Sequence, residues 1–170
     1  MSDFFTKTDL SRKDAESIIS ETLKNCDDGE LYLENSKSES IVLDDDKIKS
    51  SSYSSDLGYG LRAVTGEVVA YSHSNEISKK SLKQSASNLS STLKSQKGIY
   101  NHEIPQTNEK FYKDVNPIEE KSLQSKLDLL KEVNNYTRAK GGMVQQVTAS
   151  FAGEHKSIEI IRSGGEVLTD

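Results

Sequence analysis

The stretch SSDLGYGLRAVTGEVVAYS, residues 54–72, decides how the rest of the chain is interpreted. Gly58 and Gly60 stand one residue apart, as in some phosphate-binding loops, but a nucleotide fingerprint needs a third glycine and a following helix. Here the sequence continues as a strand, turns at Thr65 and Gly66, and returns along the apolar run EVVAYS. The pattern predicts a β-hairpin whose glycines permit a bulge or a close approach of backbone.

Period-two patterns extend from this hairpin along the chain. Leu31 and Leu33 alternate with polar residues, and SIVLDDDKIKSSSYS is typical of a further hairpin with its turn at Asp44 to Asp46. Residues 30–72 therefore predict a meander of four or five antiparallel strands. Three more strands are predicted near the end of the chain, with Gly164–Gly165 as a hairpin turn: Val144–Phe151, Ser157–Arg162 and Glu166–Thr169.

Three segments have the helical period instead. The spacing predicts a helix over 11–25 capped by Ser11, a helix over 77–95, and a helix over 117–139 capped by Asn116. The predicted buried faces are Ala15, Ile18, Ile19, Thr22 and Leu23 in the first, Ile77, Leu82, Ala86, Leu89 and Leu93 in the second, and Leu123, Leu127, Leu130 and Val133 in the third.

This order of elements predicts an α+β fold, a largely antiparallel sheet built as a meander with two to three helices packed on one face. A length of 170 residues predicts a single domain over 1–170, with a long polar loop at about 96–116. The pattern of the last strand is interrupted at Asp170, so we expect the natural chain to continue.

Charge and composition exclude several classes of protein. A net charge of −5, with only two short basic tracts, argues against binding to nucleic acid. No apolar run approaches the roughly 20 residues that span a bilayer, so no membrane partner is expected. Cys26 is the one cysteine, which favours a reducing compartment. We expect a soluble cytoplasmic protein.

The residues alone predict no catalytic site and no metal site. His73, His102 and His155 lack the i, i+4 spacing or the clustering of metal ligands, and exposed loop positions are expected for them. Asp44 to Asp46 lack the spacing of a calcium loop. Cys26 has no adjacent histidine, and no serine stands in a nucleophile elbow.

The order of several short motifs nevertheless resembles the amino-terminal region of the TldD/PmbA metallopeptidase family, also called modulators of DNA gyrase. The resemblance extends from about Leu10 to Asp170, and VTAS with the closing L-x-x-D favours the TldD branch. The matching residues are Ser38, Glu39 and Ser40; Asp45, Ile48 and Lys49; and the signature strand Asp56, Gly58, Gly60 and Arg62.

The resemblance implies a zinc-dependent peptidase that matures or degrades peptides and acts with a related TldD/PmbA-type subunit, as a homo- or hetero-oligomer. The family's H-E-x-x-x-H motif has no match in this chain. Catalytic residues, metal ligands and zinc are therefore expected in polypeptide beyond Asp170, and this chain alone is predicted to be inactive. The implied role is that of an amino-terminal domain that mediates pairing of subunits and forms a wall of the substrate cleft.

A second hypothesis remains beside this one. The chain could be a stand-alone, non-catalytic module that binds a peptide or a protein through a sheet edge. In either case, the strand with Asp56, Gly58, Gly60 and Arg62 is structural or faces a partner, because its glycines leave backbone polar groups approachable.

Overall fold

The protein, described here by a computed structural model, has nine helices and strands in residues 4–6, 8–93 and 115–170. In chain order these are α1 (Arg12–Leu23), β1 (Asp28–Asp44), β2 (Lys47–Thr65), β3 (Val68–Ser74), α2 (Lys79–Leu93), α3 (Pro117–Glu120), α4 (Leu123–Arg138), β4 (Thr148–Arg162) and β5 (Val167–Thr169). The strands form one antiparallel sheet in the order β3-β2-β1-β4-β5. The predicted α+β class is confirmed, with four helices in the described residues.

The described residues divide into two compact units, and the division crosses strands instead of falling at a linker. The first unit contains residues 4–6, 8–35, 56–93 and 157–170, and the second contains residues 36–55 and 115–156. Strands β1, β2 and β4 each contribute to both units. The single domain over 1–170 stays a prediction. Of the predicted polar loop at 96–116, residues 96–114 lie outside the described residues.

The core of the first unit follows from the alternation of side chains along β1 and β2. Leu31 and Leu33 of β1 and Leu61 and Ala63 of β2 are all fully buried. They form one apolar cluster with α1 and α2, which also pack on each other. The predicted face of the second helix is confirmed, and in α1 the fully buried residues are Ala15, Ile19 and Leu23.

The second unit has a small apolar cluster and a buried ion pair. The cluster contains Ile41 and Leu43 of β1, Leu130 of α4 and Ala149 of β4. Beside it, a lysine of α4 and a glutamate of β1 lie within the protein interior. Burying charge is costly unless each charged group finds a partner, so their contacts decide whether this arrangement is stable.

The buried lysine, Lys126, finds two oxygen partners. Its Nζ lies 2.5 Å from Oε1 of Glu39 and donates to the carbonyl oxygen of Ile118 at 2.7 Å. The ammonium also lies 5.7 Å from the ring centroid of Phe151. The two charged side chains are only 5% and 11% exposed. Glu39, which was named from the sequence only as part of a family motif, thus joins α4 to β1 through its ion pair with Lys126.

Both predicted hairpin turns in the first half of the chain are present. Asp45 and Asp46 have φ values of 47° and 65°, the geometry of a two-residue type I′ turn. The second turn lies one residue later than predicted, because Thr65 pairs with Val68 as the last residue of β2. Gly66, with φ of 59°, occupies the first central position of that turn.

The prediction of four or five separate strands between residues 30 and 72 was wrong, since three long strands occupy this region. Residues 47–57 of β2 are exposed on both faces, so no hydrophobic alternation marks them as strand. Likewise, the predicted strands Val144–Phe151 and Ser157–Arg162 are one strand, β4, that begins at Thr148. The final hairpin is confirmed, with Gly165 at φ of 80°.

The single helix predicted over 117–139 is in fact two helices. Asn116 caps α3 as expected, but Lys121 takes an extended conformation, and the hydroxyl of Ser122 caps α4. The predicted buried face is also wrong in part. Leu123 and Val133 are exposed, whereas the buried residues of α4 are Lys126, Leu130 and Asn134.

Replacing Lys126 by methionine should strongly destabilise the protein. The substitution preserves side-chain volume but leaves the buried Glu39 carboxylate without its cationic partner, at an expected loss of about 3 kcal/mol in the free energy of unfolding. Urea unfolding followed by circular dichroism measures the loss. The control is Lys131→Met at an exposed position of the same helix, expected to stay within about 0.5 kcal/mol. Equal urea midpoints for the two variants would show that the buried pair contributes nothing.

Candidate functional site

The candidate site lies on the sheet face of the first unit that points away from its core. Because successive side chains of a strand point to opposite faces, burial of Leu31, Leu33 and Leu61 directs their neighbours to this open face. There the residues surround an open depression of about 220 Å³, called here the outer depression. Its lining residues are Tyr32, Glu34, Asp56, Leu57, Gly58, Tyr59, Gly60, Tyr71 and Asn75.

Two glycines form the floor of the outer depression, and side chains could not replace them without movement. A Cβ at Gly60 would lie 2.4 Å from the hydroxyl oxygen of Tyr71, so the tyrosine side chain extends across the glycine. A Cβ at Gly58 would lie 2.9 Å from the carbonyl oxygen of Ser74. The close approach of backbone predicted for these glycines is therefore present at Gly58, whereas the neighbour of Gly60 is a side chain.

Aromatic side chains form the walls. The ring of Tyr71 stacks on that of His73 in β3, with centroids 5.9 Å apart and an interplanar angle of 27°. Tyr71 is nevertheless 64% exposed, so its ring is accessible to a ligand. Tyr59 borders the depression only through its strand, because its side chain is 5% exposed and points to the core face, where its hydroxyl contacts the hydroxyls of Ser81 and Ser85 of α2 at 2.8 and 2.9 Å. That contact ties the floor strand to the helix layer.

A short hydrogen bond joins two residues of β1 at the rim. The hydroxyl of Tyr32 donates to Oε2 of Glu34 at 2.5 Å. Partial burial, the bond to Glu34 and the charges of Glu34 and Tyr71 together raise the pKa of Tyr32 to about 12. Tyr32 is therefore a neutral donor at physiological pH, and it orients the Glu34 carboxylate.

The structure brings together three of the four residues of the signature strand. Asp56, Gly58 and Gly60 line the outer depression. Arg62 lies on the same face but donates to Oδ2 of Asp28 at 2.9 Å and lies 3.8 Å from Oε1 of Glu30. It points away from the buried Leu61. Its role is to tie β2 to β1 across the open face.

The hypothesis of a partner strand at these glycines meets an obstacle in the sheet order. Residues 59–65 of β2 are paired with β3, with Gly60 opposite His73. A new strand could not pair with Gly60 on that side while β3 is in place. The partner-facing role of the strand stays a prediction, for which the open sheet face is the accessible surface.

Sequence reasoning did not find Tyr32, Glu34, Tyr71 and Asn75. One signal was available for Tyr71, because a hairpin turn at Gly66 places β3 opposite β2 and Tyr71 opposite Arg62. Tyr32 and Glu34 occupy the alternate positions to Leu31 and Leu33, which marks them as facing away from the core. The predicted turn at Asp44 to Asp46 places β1 beside β2, but no motif marked Tyr32 and Glu34 as part of a site.

The residues considered as metal ligands lie apart. His73 is on β3 and His155 is on β4, so both belong to strands and not to loops, while His102 lies outside the described residues. Cys26 is buried after α1, with its Sγ 3.9 Å from the carbonyl oxygen of Thr22. Across residues 4–6, 8–93 and 115–170, no three His, Cys, Asp or Glu side chains form a metal-binding group. In the same residues no helix has the length and hydropathy of a membrane span.

Comparison with known sequences finds relatives among metallopeptidases. The model of a family described as PmbA/TldA metallopeptidase domain 1 matches residues 29–92. A Metalloprotease TldD homolog from Buchnera aphidicola subsp. Acyrthosiphon pisum is 33% identical over 148 residues, which are 86% of this chain and 31% of that protein. A Metalloprotease TldD homolog from Haemophilus influenzae is 30% identical over 153 residues, which are again 86% of this chain and 31% of that protein.

Solved structures share the fold at low sequence identity. A protein of Bacteroides thetaiotaomicron provisionally assigned as a modulator of DNA gyrase superposes with a TM-score of 0.67 and 18% identity, over 94% of this chain and 38% of that one. TldE from Thermococcus kodakarensis gives a TM-score of 0.63 and 15% identity, over 92% of this chain and 36% of that one. The chain belongs to the TldD/PmbA metallopeptidase family. It spans about a third of the length of the curated relatives that it matches.

Tyr32 should titrate well above an ordinary tyrosine, at about 12. Carbon NMR of labelled tyrosine rings measures this, and Tyr32→Phe assigns the signal. Because folding raises the pKa of Tyr32 from 10.0, the contribution of this group to the free energy of unfolding is complete below pH 10. That contribution is lost as the pH rises through 12. Glu34→Gln removes a charge and should lower the titration midpoint. An unchanged midpoint in that variant would show that Glu34 does not control Tyr32.

Proposed function

We propose that this chain is the amino-terminal domain of a TldD-type zinc metallopeptidase that matures and degrades peptides in the cytoplasm. The observation that carries the proposal is the match to Metalloprotease TldD homologs along 86% of this chain but only 31% of their length. The matching family model is itself that of a first domain. The remaining two thirds of such a protein would then carry the hydrolytic chemistry.

Within that protein we assign this domain to the wall of the substrate cleft and to pairing with a related TldD/PmbA-type subunit. The residues described here do not fit a zinc site, since none of their carboxylates, histidines or cysteines group in threes. Zinc, held elsewhere, would supply an activated water for attack on a peptide carbonyl. What this chain offers is an open sheet face with an aromatic and acidic depression, a surface suited to contacts with a peptide.

The test begins with the gene. We expect the reading frame to continue beyond Asp170 and to encode H-E-x-x-x-H on a predicted helix within roughly the next hundred residues. The protein so encoded should bind about one zinc ion per chain and hydrolyse peptides. Replacing the glutamate of that motif by glutamine should abolish hydrolysis and retain zinc, because the glutamate acts as a base and not as a ligand.

The 170-residue chain serves as the matched control for that measurement. It should bind no stoichiometric zinc and cleave no peptide. A stop codon directly after Asp170, or hydrolysis by the 170-residue chain itself, would contradict the proposal.

A stand-alone binding module is the second candidate. The feature that favours it is β3, which lies at the end of the strand order beside the outer depression. Such a module would bind a peptide or a protein without cleaving it. A stop codon after Asp170 together with retained peptide binding would select this function.

A further inference from the structure

The side of β2 that faces β3 is only partly covered. All seven residues of β3 pair with residues 59–65 of β2, so β3 extends no further along its neighbour. Strand β2 is 19 residues long and begins at Lys47, and its other neighbour in the sheet is β1. In the part of the chain that the structure describes, no strand therefore lies on this side of residues 47–53, called here the free edge.

The backbone of the free edge can accept a further strand. On an edge strand, alternate residues direct their N–H and C=O groups away from the sheet, so at least three residues of this segment do so. Residues 47–53 are exposed at every position, and among the described residues no backbone hydrogen bond from a turn or loop reaches them. Proteins often protect such an edge with proline, and the free edge contains none.

The lysines at the start of the free edge decide which strand fits. Lys47 and Lys49 disfavour a strand that sets positive charges opposite them. A second copy of the same segment avoids this when it runs antiparallel with Ser50 opposite Ser50 of the other copy. No lysine faces a lysine in this register, and the remaining cross-strand pairs are Lys47 with Tyr53, Ile48 with Ser52, and Lys49 with Ser51.

The pair of Lys47 and Tyr53 is the attractive contact in this register. Tyr53 is 59% exposed, so its ring is accessible to an approaching side chain. An ammonium group over a tyrosine ring is favourable, and directly opposite residues of an antiparallel pair lie within reach of each other. Two-fold symmetry makes this contact twice in the dimer. Lys49 is offset within each chain by Asp44, whose Oδ2 lies 3.4 Å from its Nζ.

We propose that two copies of this chain associate through the free edge, by antiparallel pairing of residues 47–53 about Ser50, into one continuous sheet. A closed two-fold dimer uses this segment in both copies, so the contact ends at two chains. The association goes beyond the proposed function, because it needs neither zinc nor hydrolysis. Only its identification with the pairing of subunits in a peptidase rests on the proposed function.

Sedimentation equilibrium of the 170-residue chain tests for the dimer. A strand pair this short buries little surface, so we expect weak association, with a dissociation constant on the order of 100 µM. A chain that stays monomeric at about 1 mM would overturn the proposal.

Amide hydrogen exchange at rising protein concentration locates the contact. Pairing should slow exchange at alternate residues of the free edge, because their N–H groups become hydrogen-bonded to the second copy. Slower exchange along β3, without a change in residues 47–53, would contradict the proposal.

Ser50→Lys tests the register, because it sets two added charges opposite each other at the centre of the dimer. We expect association to weaken about fivefold. Ser90→Lys adds the same charge at an exposed position of α2 and should leave association unchanged. Equal losses in the two variants would overturn the proposal, since they would indicate a nonspecific effect of net charge.

Tyr53→Ser tests the attractive contact. It removes both contacts with Lys47 and should weaken association about tenfold. Tyr136→Ser, at a tyrosine of similar exposure on α4, should not weaken it. Circular dichroism of each variant verifies the fold. A loss in Tyr136→Ser alone would assign the contact to the exposed face of α4 and would reject the free edge.

A peptide that pairs with the free edge of a chain that remains monomeric would also contradict self-association, because it would identify a different occupant. None of these results depends on zinc or hydrolysis. Failure of the free edge is thus distinguishable from failure of the peptidase assignment.

Discussion

The pleat of β1 and β2 is the constraint on which the rest of the first unit depends. Burial of Leu31 and Leu33 in β1, and of Leu61 in β2, fixes the register, because a slip of one residue would move these leucines to the open face. The same pleat must then direct Tyr32 and Gly60 outward. Core formation and construction of the outer depression are consequently two results of one strand alignment, and neither can change alone.

The second unit has a smaller apolar cluster than the first, and polar contacts join its segments. Its apolar cluster is small, as the 33% hydrophobic content of the chain suggests. The Lys126–Glu39 pair lies beside that cluster, and Asp44 at the hairpin accepts hydrogen bonds from Gln146 at 2.8 Å and Thr148 at 2.9 Å. These bonds lower the pKa of Asp44 and favour its charged form. Charged side chains here join segments that are distant in sequence, which a larger apolar core would otherwise do.

Features with a local cause were predictable from the sequence, and features with a distant cause were not. Ser11 and Asn116 cap helices through their own side chains, and the aspartates of the first hairpin favour positive φ, so short windows of sequence contained the necessary information. The inward position of Lys126 depends on a carboxylate from β1, 87 residues away. Helical periodicity alone therefore selected the wrong face for α4.

The sequence by itself determined the α+β class, the hairpins, the family and the close approach of backbone at Gly58, because these follow from short-range periodicity, turn chemistry and ordered motifs. Only the tertiary structure decided that Tyr32 and Glu34 of β1 meet Tyr71 of β3 around Gly58 and Gly60. It also separated Arg62 from the depression by pairing it with Asp28. The physical reason is that strand pairing brings together residues far apart in the chain, and its register is set by burial of the opposite face.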